Sequence, residues 1–172
     1  MPIAAFSACL RALAAGAFAL CLQGVQAQEL PPGVRVGMSA EELQAALPGL
    51  ERVARPQRLA GGLAGGWRAP PVALGGLTFE PVFYFAGDQL RRVEWTAAAD
   101  GQADLGAAAF GEIVDWGRRS FGSGLASNDP GSAYAAWVDG DWDVYAQRSA
   151  DARRASVRLV YKARQLKDGS EL

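Results

Sequence analysis

Residues 77–96 read LTFEPVFYFAGDQLRRVEWT, a stretch with two periods of alternation and a turn between them. Leu77, Phe79, Phe83 and Phe85 fall on one side of an extended chain, and Thr78, Glu80, Val82 and Tyr84 fall on the other, the spacing of a half-buried strand. Gly87-Asp88 can turn the chain, because a tight hairpin needs residues that tolerate positive φ. Val93 and Trp95 then return to the apolar side with Arg92 and Glu94 opposite, so the stretch predicts an antiparallel hairpin that covers a core with one face. Pro81 has no N–H to give a neighbouring strand and predicts an edge position or a bulge.

Upstream, Ser39-Ala40-Glu41-Glu42 has capping-box spacing, and Leu43, Ala46, Leu47 and Leu50 form one apolar stripe that Pro48-Gly49 cuts short. Glu41 and Glu42 read as acids favoured by the helix dipole rather than as a catalytic pair. Residues 60–66, AGGLAGG, lack the spacing of a phosphate loop and are predicted to be a mobile connection. Downstream, Asp104 can cap a second helix with the face Phe110, Ile113, Val114, Gly117 and Phe121, Arg118 and Arg119 in its last turn, and Gly122 as its stop. Gly106, Gly111 and Gly117 weaken that helix and predict close packing against a sheet.

Asp139-Gly140 predicts a type I′ hairpin that sets Val138 opposite Asp141, Trp137 opposite Trp142 and Tyr134 opposite Tyr145, with both tryptophans in the core and both tyrosines outside. The strand 156–163 turns Val157, Leu159 and Tyr161 inward and Arg158 and Lys162 outward, and the tail from Gln165 is polar. Together these elements predict an α+β domain, an antiparallel β-sheet with two helices packed on one face. Residues 28–172 are read as a single α+β domain, in which 34–97 and 103–163 can be two fused α-β-β-β halves.

Residues 1–27 read as an export leader. Arg11 precedes an apolar run from Ala12 to Leu22, and Val25-Gln26-Ala27 supplies a small-x-small cleavage end. That run is about half the ~20 residues a membrane-spanning helix needs, so no stable membrane anchor is predicted. Lipid attachment at Cys21 is disfavoured by Leu20 before it. The expected location is the periplasm, after a cut behind Ala27.

The 172 residues contain no histidine, and both cysteines, Cys9 and Cys21, lie in the leader. Ser-His-Asp and Cys-His chemistry is therefore excluded, and zinc would find only oxygen ligands. Gly122-Ser123-Gly124 is no nucleophile elbow, and no serine stands three residues before Lys162 or Lys167. Asp139, Asp141 and Asp143 have alternating spacing, but the hairpin turn takes Asp139 out of the extended run, so no metal set or cofactor is predicted. A net charge of −1 offers no basic field for nucleic acid. Trp95, Trp137 and Trp142 fall on core faces rather than on a sugar platform.

Opposite the core, Glu80, Tyr84, Arg92 and Glu94 can continue into Tyr134, Asp143, Tyr145 and Arg158 if both halves share one sheet. Tyrosine and arginine among mixed charges suit a protein interface, so Tyr84, Arg92, Tyr134, Asp143, Tyr145 and Arg158 are the predicted partner-binding residues. Gly37-Met38-Ser39-Ala40-Glu41-Glu42-Leu43, followed by the apolar hairpin from Leu77 to Trp95, resembles the β-lactamase-inhibitor-like superfamily over about residues 34–96. That superfamily includes the small outer-membrane assembly lipoproteins of the SmpA/OmlA type. The resemblance implies helices on one face of an antiparallel sheet and a binding or scaffolding role without catalysis. Three expectations follow: a binding protein with a partner in the cell envelope, an inhibitor of an envelope hydrolase that uses a protruding loop at 127–132, or a carboxylate-dependent enzyme. N-terminal sequencing of exported material is expected to read Gln28 first, and an intact Met1 form in the membrane fraction would contradict the leader.

Overall fold

The computed structural model describes residues 30–31 and 33–165, so the leader, Cys9 and Cys21 lie outside the described residues. The first helix, α1 (Ala40–Ala46), begins where the capping box places it: Ser39 Oγ accepts from Glu42 N, and Glu42 Oε2 accepts from Ser39 N at 2.7 Å. Leu43 is its buried residue, and Leu47 ends it. Backbone bonds from Gly37 N to Leu90 O and from Leu90 N to Met38 O tie its lead-in to the sheet.

Strands β1 (Glu51–Arg52), β2 (Ala64–Arg68), β3 (Val72–Leu74), β4 (Leu77–Ala86) and β5 (Gln89–Ala98) follow. Then come α2 (Ala107–Phe121), β6 (Leu125–Asp129), β7 (Ser132–Asp139), β8 (Trp142–Ala150) and β9 (Ala155–Ala163). All pairings are antiparallel, in the order β1-β2-β4-β5-β9-β8-β7-β6, with β3 also on β4. β2 and β3 lie along the same edge of β4, against Val82–Phe85 and Leu77–Phe79. Each half is therefore a helix followed by an antiparallel meander of four positions, and the two meet last strand to last strand at β5 and β9. The expected α-β-β-β halves fall short by two strands in the first half, which has five, and by one in the second, which has four: β1, β3 and β6 are too short, or too poor in β-branched and aromatic residues, to show a period.

The long hairpin is as the alternation predicts. Ala86 pairs with Gln89 across Gly87-Asp88, both at positive φ. Leu77, Phe79, Phe83, Leu90, Val93 and Trp95 are buried. Pro81 is a correction, since β4 is an interior strand and Pro81 is fully buried opposite Trp95. It is tolerated because its other side faces the break between β2 and β3, where only its carbonyl is needed, to accept from Ala69 N. The 60–66 connection is also more structured than expected. A 3-10 turn at Ala60–Gly62 leads directly into β2.

In α2, Asp104 caps from outside the helix, its carboxylate accepting from Ala108 N at 2.7 Å and Gly106 N at 3.1 Å. Ala109 and Trp116 join Ile113 and Gly117 as its buried residues, while Phe110, Val114 and Phe121 are half-buried. Gly122 ends it at φ 83, ψ −155, a glycine conformation but not the left-handed helical one expected.

The β7–β8 register is corrected. The turn is Gly140-Asp141, with Asp139 opposite Trp142, Trp137 opposite Val144 and Tyr134 opposite Gln147. Gly140 alone of the two has positive φ, the pattern of a type II′ turn. The pairing sum moves by two, so every side chain keeps its face. Trp137 and Trp142 are buried, Tyr134 is exposed, and Tyr145 is half-buried.

Glycine spacing on α2 gives a paired test. A Cβ on Gly117 would lie 2.4 Å from Trp137 Cζ2, whereas one on Gly111 would meet nothing within 4 Å. Gly111→Ala is expected to stabilise by up to about 1 kcal/mol through helix propensity. Gly117→Ala is expected to destabilise by about 1–3 kcal/mol through overpacking. Urea unfolding that shows both stabilising would contradict the packing of α2 on β7.

Candidate interaction face

Both helices pack on one side of the sheet, and the centre of the other side is supplied by the two strands that join the halves. Arg92 and Glu94 stand two apart on β5 and so share this outer face. Glu94 pairs with Val160 of β9, and Arg158 is the next outward residue on that strand. One guanidinium engages each carboxylate oxygen: Arg92 Nε donates to Glu94 Oε2 at 3.2 Å, and Arg158 Nη1 donates to Oε1 at 3.4 Å. Arg92 Nη2 also donates to the Tyr145 hydroxyl at 2.9 Å, and Arg158 donates twice to Gln147 Oε1, at 3.1 and 2.6 Å. The Tyr134 and Tyr145 ring centroids are 5.8 Å apart.

This polar layer lies over an apolar floor. Val160 is fully buried although it points outward, and its cross-strand neighbours are Glu94 and Tyr145. Glu94 is itself only 8% exposed. A carboxylate so far from water requires fixed partners, so the cluster is ordered in the free protein. Burial works against the Arg92 cation, but Glu94 and Tyr145 outweigh it and hold its pKa above the ordinary value.

Tyr84 belongs to this face but does not present itself. It is 3% exposed, and its hydroxyl donates to Gln57 Oε1 at 2.9 Å from the loop before β2. Gly65 makes room for the ring, since a Cβ there would lie 2.9 Å from Tyr84 Cε1. Burial pushes the Tyr84 phenol pKa up and the Glu94 charge adds to this, while Arg92 opposes it. Tyr134 shifts upward too, through burial and then Tyr145 and Asp143.

All six predicted residues therefore lie on one continuous face. Arg92, Tyr145, Tyr134 and Arg158 are joined through direct contacts or through Glu94 and Gln147. Asp143 stands apart with Arg164, 3.4 Å away. The hub, Glu94, was readable as outward-facing but not as central, because its second arginine is 64 residues away in sequence. Gln147 could have been found from the correct β7–β8–β9 register, in which it pairs with Arg158. Gln57 carries no local signal.

A cleft of about 490 Å³ adjoins the cluster, lined by Gln57, Glu80, Tyr84, Glu94, Thr96, Ser149, Ser156 and Arg158 among others. Its two carboxylates are not an equivalent acid pair, because both Glu94 oxygens already accept from arginine while Glu80 is exposed. The expected protruding loop at 127–132 is a correction. Residues up to Asp129 belong to β6, Ser132 begins β7, and Pro130-Gly131 is a tight turn between them. Among the described residues, no helix is long and apolar enough to cross a membrane. No family model, curated protein or solved structure matches the chain.

The buried phenol gives a pH test. The folded-state pKa of Tyr84 lies above the unfolded value of about 10. The resulting stabilisation is fully present below that unfolded value and is lost as pH rises through the folded one. Unfolding measured at stepped pH above 10 should show a steeper loss of stability in the wild type than in Tyr84→Phe. Equal slopes would contradict burial of this ring.

Proposed function

We propose that the protein is an exported, non-catalytic binding protein of the cell envelope that docks a protein partner on the outer face of its sheet. The leader sequence supports export to the periplasm. The resemblance to β-lactamase-inhibitor-like envelope proteins supports a binding role. The observation that carries the reading is the Arg92–Glu94–Arg158 cluster with Tyr134 and Tyr145, ordered on the sheet face opposite both helices. Tyrosine and arginine are the residue types that dominate binding energy at interfaces. Fixing their rotamers beforehand avoids an ordering cost of about 0.5–1.5 kcal/mol per side chain. Inhibition through a 127–132 plug is less favoured, because a two-residue turn presents little to insert.

A pull-down from envelope extract tests the reading, with wild type and a Tyr134→Ala/Arg158→Ala double variant. Arg158→Ala leaves one oxygen of the buried Glu94 carboxylate without its arginine, so circular dichroism and thermal unfolding would first verify that the variant folds. A partner held by wild type and lost from the folded variant is expected. Equal recovery by both proteins would contradict the use of this face.

A further inference from the structure

We propose that the open edge of β6 accepts an added strand from a protein partner, an extended segment with apolar side chains on its outward side and acidic ones on the side facing α2. It shares Tyr134 and the adjoining cavity with the outer-face reading, but it rests on the backbone edge of β6, so protection of that edge can fail while the outer face still binds. The two ends of the sheet differ. At one end, β1 is two charged residues, with Glu51 held by Arg68 at 2.7 Å and Arg52 over the Trp67 ring. Shortness and charge are how proteins close an edge to unwanted pairing. At the other end, among the described residues β6 pairs only with β7, all five of its residues are exposed, and Leu125-Ala126-Ser127-Asn128 contains no charge and no proline.

Grooves flank this edge on both faces. On the outer side Leu125, Val138 and Tyr134 are 79%, 50% and 37% exposed and line a cavity of about 750 Å³. On the inner side a cavity of about 310 Å³ lies between Ala126 and the half-buried Phe110 and Val114 of α2, with Arg148 and Arg118, the latter also paired with Asp115 at 3.4 Å, among its lining residues. Side chains of a strand alternate between faces, so one chain laid beside β6 would reach both cavities. The outer one selects apolar groups and the inner one, through its arginines, carboxylates. A second copy is a poorer occupant, because antiparallel pairing of two β6 strands about Ser127 sets each exposed Leu125 against an Asp129 carboxylate.

The test uses a blocked heptapeptide, Glu-Val-Asp-Val-Glu-Val-Asp, and four comparisons. Two are the same peptide N-methylated on its valines or on its acidic residues, one has lysine for every acid, and one is the protein variant Leu125→Lys. The readout is amide hydrogen exchange at residues 125–129 on the full exported chain. The parent peptide should slow exchange there. One N-methylated form, whose blocked nitrogens face the edge, should bind at least about tenfold more weakly while the other does not. The lysine peptide and the Leu125→Lys protein should each bind more weakly as well. No protection at ~2 mM parent peptide, a concentration that would reveal even millimolar affinity, would overturn the proposal. So would equal binding by both N-methylated forms. Protection that rises with protein concentration in the absence of peptide would overturn it in favour of self-pairing.

Discussion

Seven residue pairs, from Arg92 with Lys162 to Ala98 with Ser156, join β5 to β9, and without them the chain would be two meanders with incomplete cores. Each half turns one apolar face toward a single helix, and α1 is only seven residues long with one buried side chain. Joining the sheets lets Phe79, Phe83 and Val93 of the first half and Val144, Val157 and Tyr161 of the second contribute to one core. The edge ring contacts of Phe121 and Trp142 with Tyr161 fill that core near the seam from the second half. Because the ladder is antiparallel and in the middle of the sheet, it brings both helices to the same side and, among the described residues, leaves the opposite side without one.

The chemistry of the outer face follows from that joint. Arg92 and Glu94 come from one half, Arg158, Tyr145 and Gln147 from the other, and they meet only because β5 and β9 are neighbours. A buried ion cluster is weak as a source of stability, since desolvation consumes most of the Coulombic gain. Its clearer consequence is order: five polar side chains hold one another in place over Val160.

Much of this architecture is legible in the sequence where one physical rule dominates a segment. Alternation decides the hairpin from Leu77 to Ala98, and Ser39 with Glu42 decides the start of α1. The faces of β7 and β8 are also legible, although the register is not, because Asp139-Gly140 and Gly140-Asp141 both make acceptable hairpin turns. The shift preserves parity, so Trp137 and Trp142 remain inside. Short strands such as β1, β3 and β6 carry too few residues for a period and exist through pairing with longer neighbours. Pro81 is misleading in isolation, since its tolerance depends on a break in the adjacent strand. Val160 keeps the alternation by pointing outward, yet it is buried there, between its cross-strand neighbours Glu94 and Tyr145, which are far away in sequence.

The contact between the halves is open to a double-mutant cycle on Glu94→Gln and Arg158→Gln, measured by denaturant unfolding. If the cluster spans the β5–β9 seam as described, the two substitutions should be non-additive, with a coupling of about 1 kcal/mol, within the range for residues in one ion-pair network. Additivity within about 0.3 kcal/mol would mean that the two side chains do not interact, and the pre-ordered face across the seam would be contradicted.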